Sequence, residues 1–128
     1  MKIRIKGNSI RFRVTKSEVD YFKQFGKLEE ETSFGEKQLK YALVVSTKSD
    51  QLKATFESDS IILHIPAAIA KEWTNTEKVG YGAEMEVGGG KILYLLLEKD
   101  FKCLDETTED QSDNYDNPLA ALKNGNAS

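Results

Sequence analysis

The first fourteen residues constrain this chain most. They read Met1-Lys-Ile-Arg-Ile-Lys-Gly-Asn-Ser-Ile-Arg-Phe-Arg-Val14. Ile3, Ile5, Ile10, Phe12 and Val14 alternate with Lys2, Arg4, Lys6, Arg11 and Arg13. A period of two is the spacing of a half-buried strand. Gly7-Asn8-Ser9 supplies turn chemistry between the two runs, so a hairpin is expected with one apolar and one basic face. A one-residue slip would turn the arginines into the core, so the register is strongly specified. All three arginines of the chain lie here.

The pattern continues downstream. Thr15-Lys-Ser-Glu18 matches the Ser/Thr-x-x-Glu capping box. It predicts a helix over Lys16–Phe25 with Val19, Phe22 and Phe25 inward and Gly26 as its stop. Alternation predicts strands over Lys27–Thr32, Gln38–Thr47, Gln51–Glu57 and Ser60–Ile65. Pro66 suits the start of a second helix, Ala67–Trp73, with Ile69, Ala70 and Trp73 inward. Tyr81–Val87 and Lys91–Lys99 flank a turn at Gly88-Gly89-Gly90. The apolar run Ile92–Leu97 marks a central strand covered on both faces. Short turns between the strands from Gln38 to Ile65 argue for an antiparallel meander. The expectation is an α+β fold: an antiparallel, strongly bent or barrel-like sheet of about seven or eight strands with two short helices. Residues 1–104 form one domain, 105–118 an acidic segment able to dock on it, and 119–128 a flexible tail. No internal repeat of useful length shows in the sequence.

Composition enters through charge. A chain of 128 residues, 39% hydrophobic and 30% charged, is that of one water-soluble domain with a real core. The first stretch has no apolar run, so it reads as neither signal peptide nor membrane anchor. Ile92–Leu97 is far too short to span a bilayer. One cysteine makes no internal disulfide, which fits a reducing cytosol. The net charge of −3 conceals a separation. Five cations and no acid lie within residues 1–13. Asp105, Glu106, Glu109, Asp110, Asp113 and Asp116 lie within 105–116 with no base.

Three functional readings follow. Arginine forks on a pleated face grip phosphate or carboxylate in two-pronged fashion. Lys2, Arg4, Lys6, Arg11 and Arg13 therefore form a candidate anion site for an anionic small molecule or an acidic protein segment, beside the plain alternative of a solvated sheet face. The acidic balance of the whole chain argues against nucleic acid. The nearest acidic segment is the chain's own, through Glu109, Asp110, Asp113 and Tyr115. Ordering about twelve residues costs on the order of 12–24 kcal/mol of backbone entropy, against roughly 0.2–1 kcal/mol per exposed salt bridge. Docking therefore also requires burial of Leu104 and Tyr115. The leading reading is a non-enzymatic, cytoplasmic binding or interaction protein.

The runner-up is an enzyme for a phosphorylated small molecule, with Glu84, Glu86 or tail carboxylates for acid–base work. A third is a structural subunit whose sheet edge pairs with itself; the oligomeric state is open. No metal or cofactor is expected. Counting from Asp105, the sixth position is Asp110, where a calcium loop needs glycine. His64 and Cys103 lack the partners of a zinc site or a triad. The three glycines lie between strands and not before a helix, so they form no phosphate loop.

The passages Met1–Val19, Cys103-Leu-Asp and Glu109-Asp-Gln-Ser-Asp-Asn-Tyr115 resemble a family of small uncharacterised bacterial proteins, a domain of unknown function. The resemblance runs to Pro118. It implies a bacterial source and brings no activity with it.

Overall fold

A computed structural model describes residues 1–100. It also places, by backbone only, two short paired strands at Ala121–Leu122 and Asn124–Gly125. The elements are β1 (Lys2–Lys6), β2 (Ser9–Val14), α1 (Lys16–Phe25), β3 (Lys27–Ser33), β4 (Gln38–Ser46), β5 (Lys53–Glu57), β6 (Ser60–Pro66), α2 (Ala67–Asn75), β7 (Gly80–Gly88) and β8 (Lys91–Lys99). Their order matches the expectation from the sequence. The expected single antiparallel sheet does not form. Eight strands make two mixed sheets of four, ordered β1-β2-β8-β7 and β3-β4-β6-β5. The outer pairs of each sheet are antiparallel hairpins. The central pairs, β2 with β8 and β4 with β6, are parallel. The meander fails because β6, not β5, takes the place beside β4, leaving β5 on the edge.

The local signals act as their chemistry dictates. Thr15 Oγ1 accepts from the Glu18 amide at 3.4 Å, and Glu18 Oε1 accepts from the Thr15 amide at 2.9 Å. Both halves of the capping box are present, a feature contributing about 1 kcal/mol. Gly26 ends α1 at φ 71°, a left-handed conformation that costs glycine little. Phe25 departs from the expected stripe. It is exposed and stacks on Tyr21 with centroids 4.6 Å apart. Three further residues put it on the outward flank, while Val19 and Phe22 alone of that set are buried.

One core serves both sheets and both helices. Phe12, Val14, Leu95 and Leu97 come from the first sheet, Leu43, Leu63 and Ile65 from the second, and Phe22 and Trp73 from the helices. The expected cover on both faces of β8 is absent: Leu95 and Leu97 are buried inward, but Tyr94 on the outer face is 48% exposed. The sheets also meet along their edges through side chains. The Met1 amino group binds Glu18 on α1 and Glu30 on β3, the latter at 2.5 Å. The Ala54 amide on β5 meets Met85 Sδ on β7 at 3.4 Å. Neither seam is a strand ladder, so no closed barrel forms among the described residues.

The sequence showed no repeat, yet the topology contains one. Residues 1–46 and 52–100 each run ββαββ. Adding 51 to the first hairpin's register Lys2↔Arg13, Ile3↔Phe12 and Lys6↔Ser9 gives the observed Lys53↔His64, Ala54↔Leu63 and Glu57↔Ser60. The same rule carries Phe22 onto Trp73. The linking bonds repeat too: Tyr94 N–H to Asn8 O and Lys40 N–H to Asp59 O are both 3.0 Å. A pseudo-twofold axis therefore exchanges the two sheets. Phe22 and Trp73 pack edge to face at 6.3 Å between the helices that it exchanges. The pairing patterns match where the residue identities do not, because alternation and turn length set register while individual side chains drift.

Phe22 fills the space between the halves. Phe22→Ala is expected to destabilise the protein by about 3–5 kcal/mol in urea unfolding followed by Trp73 fluorescence, the usual cost of removing a fully buried aromatic ring.

Candidate anion-binding face

Strand register places the five basic residues. Lys2 lies directly across from Arg13, Arg4 from Arg11, and Lys6 from Ser9. Alternation turns Ile3, Phe12 and Val14 to the core, so all five cations point outward from one sheet. Cross-strand neighbours stand about 5 Å apart and same-strand neighbours about 7 Å, so Lys2, Arg13, Arg4 and Arg11 outline a rectangle of four cations. Like charges directly opposite one another destabilise a sheet. This hairpin contains two such pairs.

The parallel ladder then brings in residues that local sequence did not link to the arginines. Arg13 lies beside Glu98, Arg11 beside Leu96, and Ser9 beside Tyr94. The Glu98 carboxylate faces Nε of Arg11 at 3.7 Å and Nε of Arg13 at 3.8 Å. Gly80 and Gly82 on β7 complete these rows. A Cβ at Gly80 would come within 2.3 Å of the Leu97 carbonyl oxygen and 3.0 Å of Glu98 Cγ. Bare backbone there leaves Glu98 its place. Lys2 Nζ reaches Asp100 at 3.2 Å. Two acids thus oppose five bases among the described residues. Arg13 Nε is buried with no hydrogen-bond acceptor, since Glu98 stands beyond bonding distance.

The remaining candidates fall elsewhere. Glu84 shares this outer face but lies in the row of Tyr94, on edge strand β7. Three strand spacings, about 14 Å, separate it from β1. Arginines and carboxylates therefore do not converge on one small reacting group. Glu86 is one pleat further along, beside Ile92. Glu109, Asp110, Asp113, Tyr115 and Cys103 lie outside the described residues. Among those described, no group of three metal-ligating side chains occurs.

Residues 1–119 match the model of a family of unknown function, DUF7009. The chain belongs to this family. Searches of curated proteins and of solved structures find no match. Membership of DUF7009 thus supplies no activity, and the face must be read from its own chemistry. No helix among the described residues is long and apolar enough to cross a membrane.

The pseudo-twofold axis gives the face a counterpart on the second sheet. There Lys53, Thr55, Ile62 and His64 stand where Lys2, Arg4, Arg11 and Arg13 stand on the first. One half of this DUF7009 chain carries the arginines, and the other has smaller or weaker groups at the corresponding positions. His64 Nε2 pairs with Thr55 Oγ1 at 3.0 Å. Burial, then the charge of Lys53 across the ladder, holds the His64 pKa below its ordinary 6.5. Burial raises Glu18, but its bonds to the Met1 amino group and to Thr15 outweigh this and leave it below its ordinary 4.5.

Both groups have depressed folded-state values, so both contribute stability above their unfolded values and lose it as pH falls. His64 acts as pH drops below 6.5, and Glu18 below 4.5. Melting temperature is expected to fall in two stages on acidification. His64→Gln should flatten the first stage and leave the second.

Proposed function

We propose that this protein is a non-enzymatic binding protein, and that the outer face of the β1-β2-β8-β7 sheet binds an anionic group. One observation carries the reading. Two pairs of like charges stand directly opposed on β1 and β2, with only Glu98 and Asp100 against them among the described residues. A face built only for solubility would interleave signs across the ladder. Arg4 and Arg11, directly opposed on strands whose facing Cβ atoms stand about 5 Å apart, suit a phosphate or carboxylate held by two-pronged bonds. Tyr94 and Leu96 beside the arginines would pack against the uncharged part of the same ligand.

The chain's own acidic segment is the first competitor for this face. β8 ends at the corner occupied by Lys2 and Arg13, and the Asp100 amide donates to Val14 O at 2.8 Å. Five extended residues span up to about 18 Å, enough to carry Asp105 and Glu106 along the basic rows. Displacement of the segment by a stronger anion would make it a gate. A cytoplasmic setting is part of the same reading, on the strength of the single cysteine.

A thermal-shift series with inorganic phosphate, polyphosphate, nucleotides and an acidic peptide tests this. Full-length protein should be stabilised by at least one of them, and a truncation after Leu104 should respond at lower anion concentration. Arg4→Gln separates function from structure. It removes one opposed pair while leaving the partners of Glu98 in place. Without anion it should raise stability by a few tenths of a kcal/mol, and it should weaken the anion response. A protein indifferent to every anion, or one that Arg4→Gln destabilises, contradicts the reading.

A further inference from the structure

Parallel pairing of β2 with β8, and of β4 with β6, sets all four hairpin turns at the ends of the sheets away from the helices. The inner faces run out to water there. Ile5 and Val87 mark the rim of the first sheet. Phe34 and Phe56, 72% and 70% exposed, mark the rim of the second. Beside these phenylalanines an open groove of about 780 Å3 runs past Gly35, Leu39 and Asp59. Large apolar side chains left exposed at one end of each sheet, beside an open groove, are what an interaction surface presents.

The pseudo-twofold axis makes the two rims equivalents. Ile5 corresponds to Phe56, Val87 to Phe34, and Lys6 to Glu57. They differ in complementary ways. The first rim carries the smaller apolar side chains and the cation. The second carries the large rings, the groove and the anion. Asp59 already has a partner in Lys37 at 3.4 Å, whereas Lys6 and Glu57 have none among the described residues.

We infer that the rim is the contact of an isologous dimer, with a second copy of this chain docked end to end. A dyad perpendicular to the pseudo-twofold axis can stack like rim on like rim, or each rim on its opposite. The first arrangement sets Lys6 on Lys6, Glu57 on Glu57 and rings on rings. The second seats Ile5 and Val87 of each copy in the Phe34–Phe56 groove of the other and brings Lys6 to Glu57. Symmetry makes that charge contact twice, so the sign of one pair selects the arrangement. The apolar contact uses the ends of the sheets; Lys6 belongs also to the basic face, so Phe56→Asp, which lies off that face, tests the dimer independently of the anion-binding reading.

Size-exclusion chromatography with light scattering on the full chain, over a wide concentration range, tests it. A mass twice that of the chain is expected. Phe56→Asp should yield monomer. Lys6→Glu and Glu57→Lys should each weaken the dimer by about tenfold, and the double exchange should restore it. All these side chains are exposed, and Trp73 fluorescence checks that each variant folds. A monomer at every concentration overturns the proposal. So does a dimer indifferent to Phe56→Asp, or a double exchange that fails to restore association.

Discussion

Two parallel ladders organise the molecule. β2 lies on β8, and β6 lies on β4 by the same rule. Parallel neighbours cannot be joined by a tight turn, so each ladder joins strands that are not consecutive, 85 positions apart for β2 and β8 and 20 for β4 and β6. Each sheet consequently takes one hairpin from residues 1–46 and one from 52–100. Neither half can complete a sheet alone. The helices sit where the chain crosses between sheets, and Phe22 against Trp73 closes the space between them. Loop closure across most of the chain must precede the β2–β8 contacts, which ties the two halves into one cooperative unit.

The same ladders give the outer faces their character. A basic hairpin alone would be a strip of positive charge. Beside β8 it acquires Glu98, Leu96 and Tyr94, and beyond them the bare backbone of Gly80 and Gly82. The strip becomes a graded surface: cations at one edge, one shared carboxylate, an apolar centre and acids at the far edge. The counterpart on the second sheet, with Thr55, Ile62 and His64 in place of Arg4, Arg11 and Arg13, has the same geometry and keeps only the cation of Lys53. The two halves thus share one geometry and differ in the side chains that it turns outward.

Much of this was legible along the chain. Thr15 and Glu18 announced α1, Gly26 its end, and the triple glycine the β7–β8 turn, because caps and turns are decided by residues within a few positions. The shared direction of the five cations was legible for the same reason: a hairpin of fixed register is local. Phe25 falls outside the buried stripe because spacing names a helix face without saying how wide a stripe the sheet beneath will cover. Ile5 and Phe56 alternate correctly toward the interior, yet both are exposed, because they lie at strand ends where the core has run out. The antiparallel meander failed at β5 because short turns say which strands are joined and not which third strand arrives beside them.

The sequence by itself determined the elements, their order and the sign of each face, since these rest on alternation, capping and turn chemistry within short windows. Tertiary structure alone decided that there are two mixed sheets, that Glu98 answers Arg11 and Arg13, that two halves of unlike sequence share one plan, and that the four hairpin turns lie at the ends of the sheets away from the helices. Each of those facts depends on strands that are not neighbours in the chain, 20 positions apart for β4 and β6 and 85 for β2 and β8, and no local pattern records which strand will supply the missing hydrogen bonds.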